Sequence, residues 1–150
     1  MKPLLCLDLE GTLISNAISQ IPRPGLYSFL EEVCQLCDLM IYTSVNRERV
    51  DIIRNLLVGE ENAPDWFKYL PVIRPRKTLK PKSACGRDDA FLLDDQPSVV
   101  APWEKDWLIQ IPEFSPPYSE EDRALNDALE DIEIRVRLLE PSVQIDLGDL

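Results

Sequence analysis

Short apolar runs alternate along this chain with longer segments whose apolar residues are spaced by three and four. The runs are predicted β-strands, at residues 4–7, 39–42, 72–73, 90–93 and 107–111. Short strands that alternate with helices form a parallel sheet, because each crossover helix returns the chain to the same edge. The alternation therefore predicts a three-layer, Rossmann-like α/β fold in which helices flank a parallel sheet.

Three amphipathic segments are predicted to be helices. The first opens at Pro24 and Gly25, because proline at the first helical position lacks only an N–H that would have no partner there. The second ends at Gly59, and the third begins at Ser119, which precedes a run of acids and can cap a helix. We expect one domain over residues 1–139, followed by a flexible acidic tail at 140–150.

Polar side chains follow three of the predicted strands. Asp8 comes directly after the first strand, Thr43 and Ser44 after the second, and Asp94 and Asp95 after the fourth. In parallel α/β sheets, ligands bind at the carboxyl ends of the strands, near the point where the strand order reverses. The sequence therefore predicts a functional site at this edge of the sheet.

The residue types at this edge favour phosphoryl transfer. Gly11 allows a tight turn, so Asp8 and Glu10 can face one point, where Mg²⁺ would relieve the repulsion among the acids. Thr43 precedes a helix start that suits an anion, and Lys80 would add a positive charge. A carboxylate can accept the phosphoryl group while a second carboxylate moves protons. Each feature alone is weak, since such residues often only cap helices or strands, and their order carries the prediction.

Composition narrows the chemistry further. The chain contains no histidine, which excludes a Ser-His-Asp triad and any His-ligated metal. The net charge of −11 argues against binding to nucleic acid or to anionic membranes. No apolar run approaches the roughly 18–20 residues needed to cross a bilayer, so a cytoplasmic protein is expected. Cys34 and Cys37 form a CxxC pair, but without a second pair it does not predict zinc.

One segment opposes the acidic balance of the chain. Its cations are Arg74, Arg76, Lys77, Lys80, Lys82 and Arg87. A charge run of this kind is most often a solvated surface. The alternative is that it guides an anionic partner, in which case reversing the charge of Arg74 and Arg76 would raise KM.

The motifs together resemble those of the haloacid dehalogenase superfamily. Residues 8–13 (Asp-Leu-Glu-Gly-Thr-Leu) are similar to its first motif, DxDGT, residues 42–44 to its second and residues 93–95 to its fourth. Arg-Pro-Gly-Leu and Phe-Leu within residues 23–30, with Gly-Arg-Asp at 86–88, resemble the NIF-like branch. That branch includes the phosphatases of the RNA polymerase C-terminal domain. The resemblance covers roughly residues 4–132.

The resemblance implies a role for each matching position. Asp8 would be the nucleophile and a metal ligand, while Glu10 would be the general acid and base and would ligate the metal through its carbonyl. Thr43 would bind the phosphoryl group, and Asp94 and Asp95 would bind Mg²⁺. The lysine of the third motif is Lys80, six residues before Gly86, or else Lys77; we favour Lys80. Contacts to the substrate are assigned to Thr12, Ser44, Lys77 and Arg47.

Two departures from the family pattern shape the expected activity. Glu10 stands where the family usually has Asp, and a misplacement of ~1 Å can cost about a hundredfold in rate. Enolase-phosphatases, which also read D-x-E-G-T, are nevertheless active. The second departure is brevity, because 30 residues between Thr12 and Thr43 leave no room for a cap domain. A site without a cap favours a macromolecular substrate, such as a phosphoprotein, that closes the site itself.

Three functions are compatible with these features. The first is a Mg²⁺-dependent phosphomonoesterase that acts on phosphoproteins. The second is a catalytically weak or inactive module of the same fold that binds a protein or a phosphorylated partner. The third, a receiver-like phosphoacceptor, fits less well. In receivers the phosphorylated Asp follows a middle strand in chain order, whereas Asp8 follows the first.

Overall fold

Within residues 1–140, which the computed structural model describes, five strands form a single sheet. They are β1 (Leu4–Leu7), β2 (Asp38–Tyr42), β3 (Val72–Ile73), β4 (Ala90–Asp94) and β5 (Leu108–Gln110). Every neighbouring pair is parallel, and the order across the sheet is β3-β2-β1-β4-β5. The predicted strands and the parallel α/β fold class are therefore confirmed.

The order of the strands reverses at β1. The chain runs outward from β1 to β2 and β3, then returns to place β4 on the other side of β1. The carboxyl ends of β1 and β4 are hydrogen-bonded neighbours, because Leu7 pairs with Leu93 and the Asp8 N–H donates to the Leu93 carbonyl at 3.1 Å. This switch point opens a crevice between connections that leave in opposite directions.

The α-helices cover one face of the sheet. They are α1 (Leu26–Leu36), α2 (Arg47–Gly59) and α3 (Ala124–Leu138). Leu30 of α1, Ile53 of α2 and Ile132 of α3 belong to one buried cluster with Leu5 and Leu7 of β1. Successive β1 residues alternate between the two faces, which is the two-residue period of a strand.

Short 3₁₀ helices cover the opposite face. Here Cys6 and Tyr42 pack with Cys85 and Trp107, which lie in the 3₁₀ helices Lys82–Cys85 and Pro102–Trp107. The sheet thus has helices on both sides, as predicted, but the second layer consists of single turns rather than long helices.

Two predicted helix starts are wrong. Helix α1 begins at Leu26 rather than Pro24, because Gly25 adopts a left-handed conformation (φ 81°) that no helix continues through. Helix α3 begins at Ala124 rather than at Ser119. The Ser119 hydroxyl accepts from the Glu121 N–H at 3.1 Å and so closes a separate turn.

The predicted tail at 140–150 lies outside the described residues except for Glu140. Across residues 1–140, no helix combines the length and the apolar character that a membrane span requires.

Candidate active site

Three carboxylates converge at the switch point. Asp8 follows β1, Asp94 ends β4, and Asp95 comes next; each offers an oxygen within 4.8 Å of the other two. All three side chains are buried. They line a cleft of about 410 Å³ together with Glu10, Ser44 and Lys77. The sheet topology therefore brings together acids that lie more than 80 residues apart in the chain.

Lys80 lies between two of these acids. Its Nζ is 3.0 Å from Asp8 Oδ1 and 2.6 Å from Asp94 Oδ2, and the residue is only 4% exposed. The backbone N–H of Lys80 donates to the Val99 carbonyl at 2.7 Å, which fixes the start of the side chain. Lys77 lines the cleft but contacts none of the three acids. The geometry thus favours Lys80 as the lysine of the third motif.

Burial and the neighbouring charges shift the pKa values of this cluster in opposite directions. Burial raises the pKa of Asp8 above its ordinary value, the Lys80 ammonium opposes that rise, and the Asp94 carboxylate adds to it. Burial likewise raises the pKa of Asp95. For Lys80, burial alone would lower the pKa, but the carboxylates of Asp8 and Asp94 raise it overall. One ammonium cannot compensate three ionised carboxylates, so a further cation at this point would favour their charged forms.

Residues of the loop after β1 contact the carboxylates and hold them in position. Thr12 is fully buried, and its hydroxyl lies 2.9 Å from Asp8 Oδ2 and 3.1 Å from Asp95 Oδ1. Gly11 has a φ of 76°, and a Cβ built there would lie 2.6 Å from Asp95 Oδ2. The Asp95 carboxylate therefore rests directly on the Gly11 backbone. Thr12 was expected to contact substrate, but its hydroxyl instead positions the two acids.

Glu10 lies at the rim of the cluster rather than inside it. Its Oε2 accepts from the Ala17 backbone N–H at 2.7 Å, and the side chain lines the cleft beside Asp8. This hydrogen bond fixes one carboxylate oxygen of Glu10 and leaves Oε1 available. The Ala17 N–H lies seven residues further along the chain, so this bond ties the Glu10 side chain to the loop that follows β1.

Groups that suit an anion lie at the end of β2. Thr43 is buried and its Oγ1 accepts from the Val45 N–H at 3.1 Å, which leaves the hydroxyl hydrogen free to donate elsewhere. Helix α2 begins three residues after Ser44, and Asn46 caps its first turn by accepting from the Arg49 N–H. Arg47 was expected to bind substrate, but it does not line the cleft and lies 3.5 Å from Asp51 on the helix surface.

Arg23, a buried residue with no role predicted from the sequence, braces the loop after β1. Arg23 is 1% exposed and donates to the carbonyls of Gly11, Thr12 and Pro112 at 2.7–3.3 Å. It also pairs with Asp122 at 3.0 Å. The signal was present in the sequence as the Arg of the Arg-Pro-Gly-Leu motif, yet nothing there indicated that two of its partners, Pro112 and Asp122, lie 89 and 99 residues away.

The chemistry of the donor set fits a hard divalent cation. Asp8, Asp94 and Asp95 offer carboxylate oxygens of the kind that Mg²⁺ takes, and Mg²⁺ uses only one or two carboxylates beside phosphate oxygens and water. The Asp94 Oδ1 also accepts from the Gln96 N–H at 3.0 Å, which fixes the direction of that carboxylate. The residues present therefore suit a magnesium site open to a phosphate group.

The parallel sheet and the acids at its switch point define the class of protein, an α/β fold of the haloacid dehalogenase type. The model of the NLI interacting factor-like phosphatase family matches residues 3–143, so the chain belongs to that family. A comparison with curated proteins finds no match.

Two solved structures are similar to this chain. One is that of Fcp1, an essential RNA polymerase II CTD phosphatase, at 16% identity and a TM-score of 0.56, covering 89% of this chain and 50% of that one. The other is fission yeast RNA polymerase II CTD phosphatase Fcp1, an arginine-to-alanine variant bound to beryllium fluoride, at 14% identity, a TM-score of 0.49 and coverages of 94% and 52%. The chain spans about half the length of these proteins, and the first likeness supports the fold.

Proposed function

We propose that this protein is a Mg²⁺-dependent phosphomonoester hydrolase that works through an aspartyl-phosphate on Asp8. The observation that carries the proposal is the contact of one buried lysine with two acids at the switch point. A nucleophilic carboxylate beside a fixed ammonium and a further pair of acids is an arrangement for phosphoryl transfer, in which catalysis is mostly positioning and charge neutralisation. Membership of a phosphatase family supports the same conclusion.

In the first step, a carboxylate oxygen of Asp8 attacks phosphorus and the bond from phosphorus to the leaving oxygen breaks. The leaving oxygen takes a proton from Glu10, which the hydrogen bond from Ala17 holds at the rim of the cleft. In the second step, water attacks phosphorus, Glu10 accepts the proton of that water, and the bond between Asp8 and phosphorus breaks. Inorganic phosphate leaves and Asp8 returns to its carboxylate form.

Other residues neutralise and orient the phosphoryl group. The Thr43 hydroxyl hydrogen, which has no acceptor among the described residues, is available to a phosphoryl oxygen. Ser44 lines the cleft three residues before α2, and the dipole at the N-terminus of that helix favours an anion. Lys80 keeps the Asp8 carboxylate in place through the contact of its Nζ with Asp8 Oδ1. When bound to the acids, Mg²⁺ supplies positive charge beside the phosphoryl oxygens.

The proposed substrate is macromolecular, a phosphoprotein in the first instance. Helices α1 and α2 with their flanking turns use up most of the chain between Thr12 and Lys80, so residues 1–140 contain no separate domain above the cleft. A substrate that carries its own bulk would exclude water from such a site, as a cap would.

The test is hydrolysis of para-nitrophenyl phosphate by the purified protein with and without Mg²⁺. Asp8→Asn should abolish release of nitrophenol, and removal of Mg²⁺ with a chelator should do the same. Asp88→Asn is the matched control, because Asp88 is exposed and lies outside the cleft. If the wild-type rate equals that of Asp8→Asn, the enzyme proposal fails. Beryllium fluoride trapped on Asp8 would add the geometry of the phosphorylated state.

A second candidate is a module of the same fold that binds a phosphorylated partner without turning it over. The observation that favours it is the hydrogen bond between Glu10 and Ala17, which restrains the group assigned to proton transfer. In this case the protein would bind a labelled phosphopeptide in the presence of Mg²⁺ and release no phosphate from it.

A further inference from the structure

A second cleft opens next to the active site. It has a volume of about 630 Å³ and shares Pro75 and Lys77 with the active-site cleft, so the two are continuous. Its walls come from the segment between β3 and the 3₁₀ helix Lys82–Cys85, and from the 3₁₀ helix Pro102–Trp107. We call it the Trp103 cleft, after the aromatic side chain in its wall.

The end of the Trp103 cleft nearest the active site is basic. Arg74, Arg76 and Lys77 are exposed, and within residues 1–140 none of them has a carboxylate within 4 Å. This is notable in a chain whose net charge is −11. Arg74 donates to the Ser44 carbonyl at 3.1 Å, which holds its guanidinium between the two clefts. The other three cations of the segment have different positions: Lys80 is buried among the acids, Lys82 does not line the cleft, and Arg87 pairs with Asp38 and Asp89.

The Trp103 cleft also has an apolar part that is open to solvent. Trp103 is 82% exposed, and Leu79 in the same cleft is 40% exposed. Pro75 and Pro81 add apolar surface to the same cleft. Tryptophan and arginine are the residue types that most often dominate binding at protein interfaces. An exposed tryptophan beside three unpaired cations is therefore a surface that suits a partner with both apolar and anionic groups.

We propose that the Trp103 cleft binds the substrate segment next to the phosphorylated residue, as an extended peptide with a defined order of side chains. An acidic or second phosphorylated residue would face Arg74 and Arg76, and an apolar residue further along would pack on Trp103. The proposal rests on the proposed function, since it places the phosphorylated residue itself in the active-site cleft. It adds a substrate class: phosphopeptides with an acidic residue followed by an apolar one.

Charge along the cleft favours a peptide over single-stranded nucleic acid. A nucleic acid carries a charge at every step and needs a basic groove that follows its backbone. Here Glu104, the residue after Trp103, lines the same cleft as the three cations. A peptide that is acidic at one position and apolar at the next carries its charge only where it faces the cations. A continuous phosphodiester would in addition place negative charge against the Glu104 carboxylate.

The test compares phosphoserine peptides that differ only beside the phosphoserine. Four types are needed on each side of it: neutral, acidic only, apolar only, and acidic followed by apolar. On one side, the acidic-apolar peptide should have a kcat/KM about tenfold or more above the neutral peptide, mainly through a lower KM. No preference for either flank would overturn the proposal.

Variants then assign the preference to the cleft. Arg76→Glu should remove the advantage of the acidic residue, and Trp103→Ala that of the apolar residue, while hydrolysis of para-nitrophenyl phosphate stays as in the wild type. The controls are Arg137→Glu on α3 and Tyr69→Ala, an aromatic that is 79% exposed and outside the cleft. If the controls reduce the preference as much as Arg76→Glu and Trp103→Ala do, the cleft is not its source.

A binding measurement separates this proposal from the proposed function. Asp8→Asn protein is titrated with the fluorescently labelled acidic-apolar phosphopeptide, and anisotropy reports the affinity whether or not the wild type is an enzyme. Binding that is weakened about tenfold by adding Arg76→Glu or Trp103→Ala supports the cleft even if no turnover is found. Equal competition by a single-stranded oligonucleotide, or binding that neither substitution weakens, would overturn it.

Discussion

The contact between Gly11 and Asp95 makes a sharp prediction for Gly11→Ala. The new Cβ would lie 2.6 Å from Asp95 Oδ2 and 2.9 Å from its Cγ, well inside the separation of non-bonded atoms. Asp95 is only 9% exposed and Gly11 is held by backbone hydrogen bonds on both sides, so the carboxylate has to move. A shift of somewhat under ~1 Å would carry it away from Thr12 and from the position of a metal.

The expected loss of activity is large compared with the loss of stability. A misplacement of ~1 Å in a catalytic group costs about a hundredfold in rate. A non-glycine residue at positive φ costs of order 1–3 kcal/mol in folding free energy. At roughly 2–4 °C per kcal/mol for a chain of this size, the melting temperature should fall by about 2–12 °C. The variant should therefore stay folded at 25 °C while losing most of its activity.

Gly86→Ala separates the steric effect from the backbone strain. Gly86 has a φ of 78°, nearly that of Gly11, but a Cβ there would meet nothing within 4 Å. Both variants should lower the melting temperature by similar amounts, whereas only Gly11→Ala should reduce kcat on para-nitrophenyl phosphate and weaken the Mg²⁺ dependence. If the two variants retain equal activity, Gly11 does not set the position of Asp95 and the reasoning is refuted.

Three further predictions concern the site and its support. Glu10→Gln should preserve the pre-steady-state burst of nitrophenol but slow turnover by about 10²–10⁴-fold, because the amide cannot move protons; a normal steady-state rate would exclude Glu10 as the base. Lys80→Met should lower the melting temperature, because two buried carboxylates lose their shared cation, and Mg²⁺ should raise that temperature more than it does for the wild type in calorimetry. Arg23→Ala should cost about 3–5 kcal/mol by leaving Asp122 and three carbonyls without their partner, as measured by urea unfolding. Burial alone would raise the pKa of Asp122, but Arg23 lowers it overall, so this pair contributes stability above pH ~4 that is lost as the pH falls further; Arg23→Ala should flatten that dependence.

The strands and the acids at their ends could be predicted because local patterns specify them. Leu4–Leu7 is apolar throughout and Asp8 ends the run, so position in the chain alone places the acid at the sheet edge. The helix starts were harder, since Gly25 and Ser119 each fit more than one local role. In both cases a distant contact decides: Gly25 lies against Asn126 of α3, and Arg23 holds the Asp122 carboxylate that accepts from the first N–H of α3.

The supporting contacts of the site could not be predicted for the same reason. The residue types of Thr12 and Gly11 were visible, but not that Asp95 would rest on them, because the pairing spans 83 residues. The basic segment was likewise interpreted from the sequence as one surface. In the structure Lys80 is buried, Arg87 lies at the opposite edge of the sheet, and Arg74 is exposed. Sequence spacing indicates which residues share an edge; it does not indicate which of them touch.

The Arg23 brace also bears on the order in which the protein is made. Arg23 and the loop after β1 leave the ribosome early, whereas Pro112 and Asp122, on which the brace depends, follow roughly 100 residues later. A nascent chain that already contains Asp8, Lys80 and Asp94 therefore still lacks the partners that hold the Asp8 loop in place. We expect the site to mature only when synthesis has passed Asp122, so that a prematurely terminated product would carry every reactive side chain and yet be a poor hydrolase.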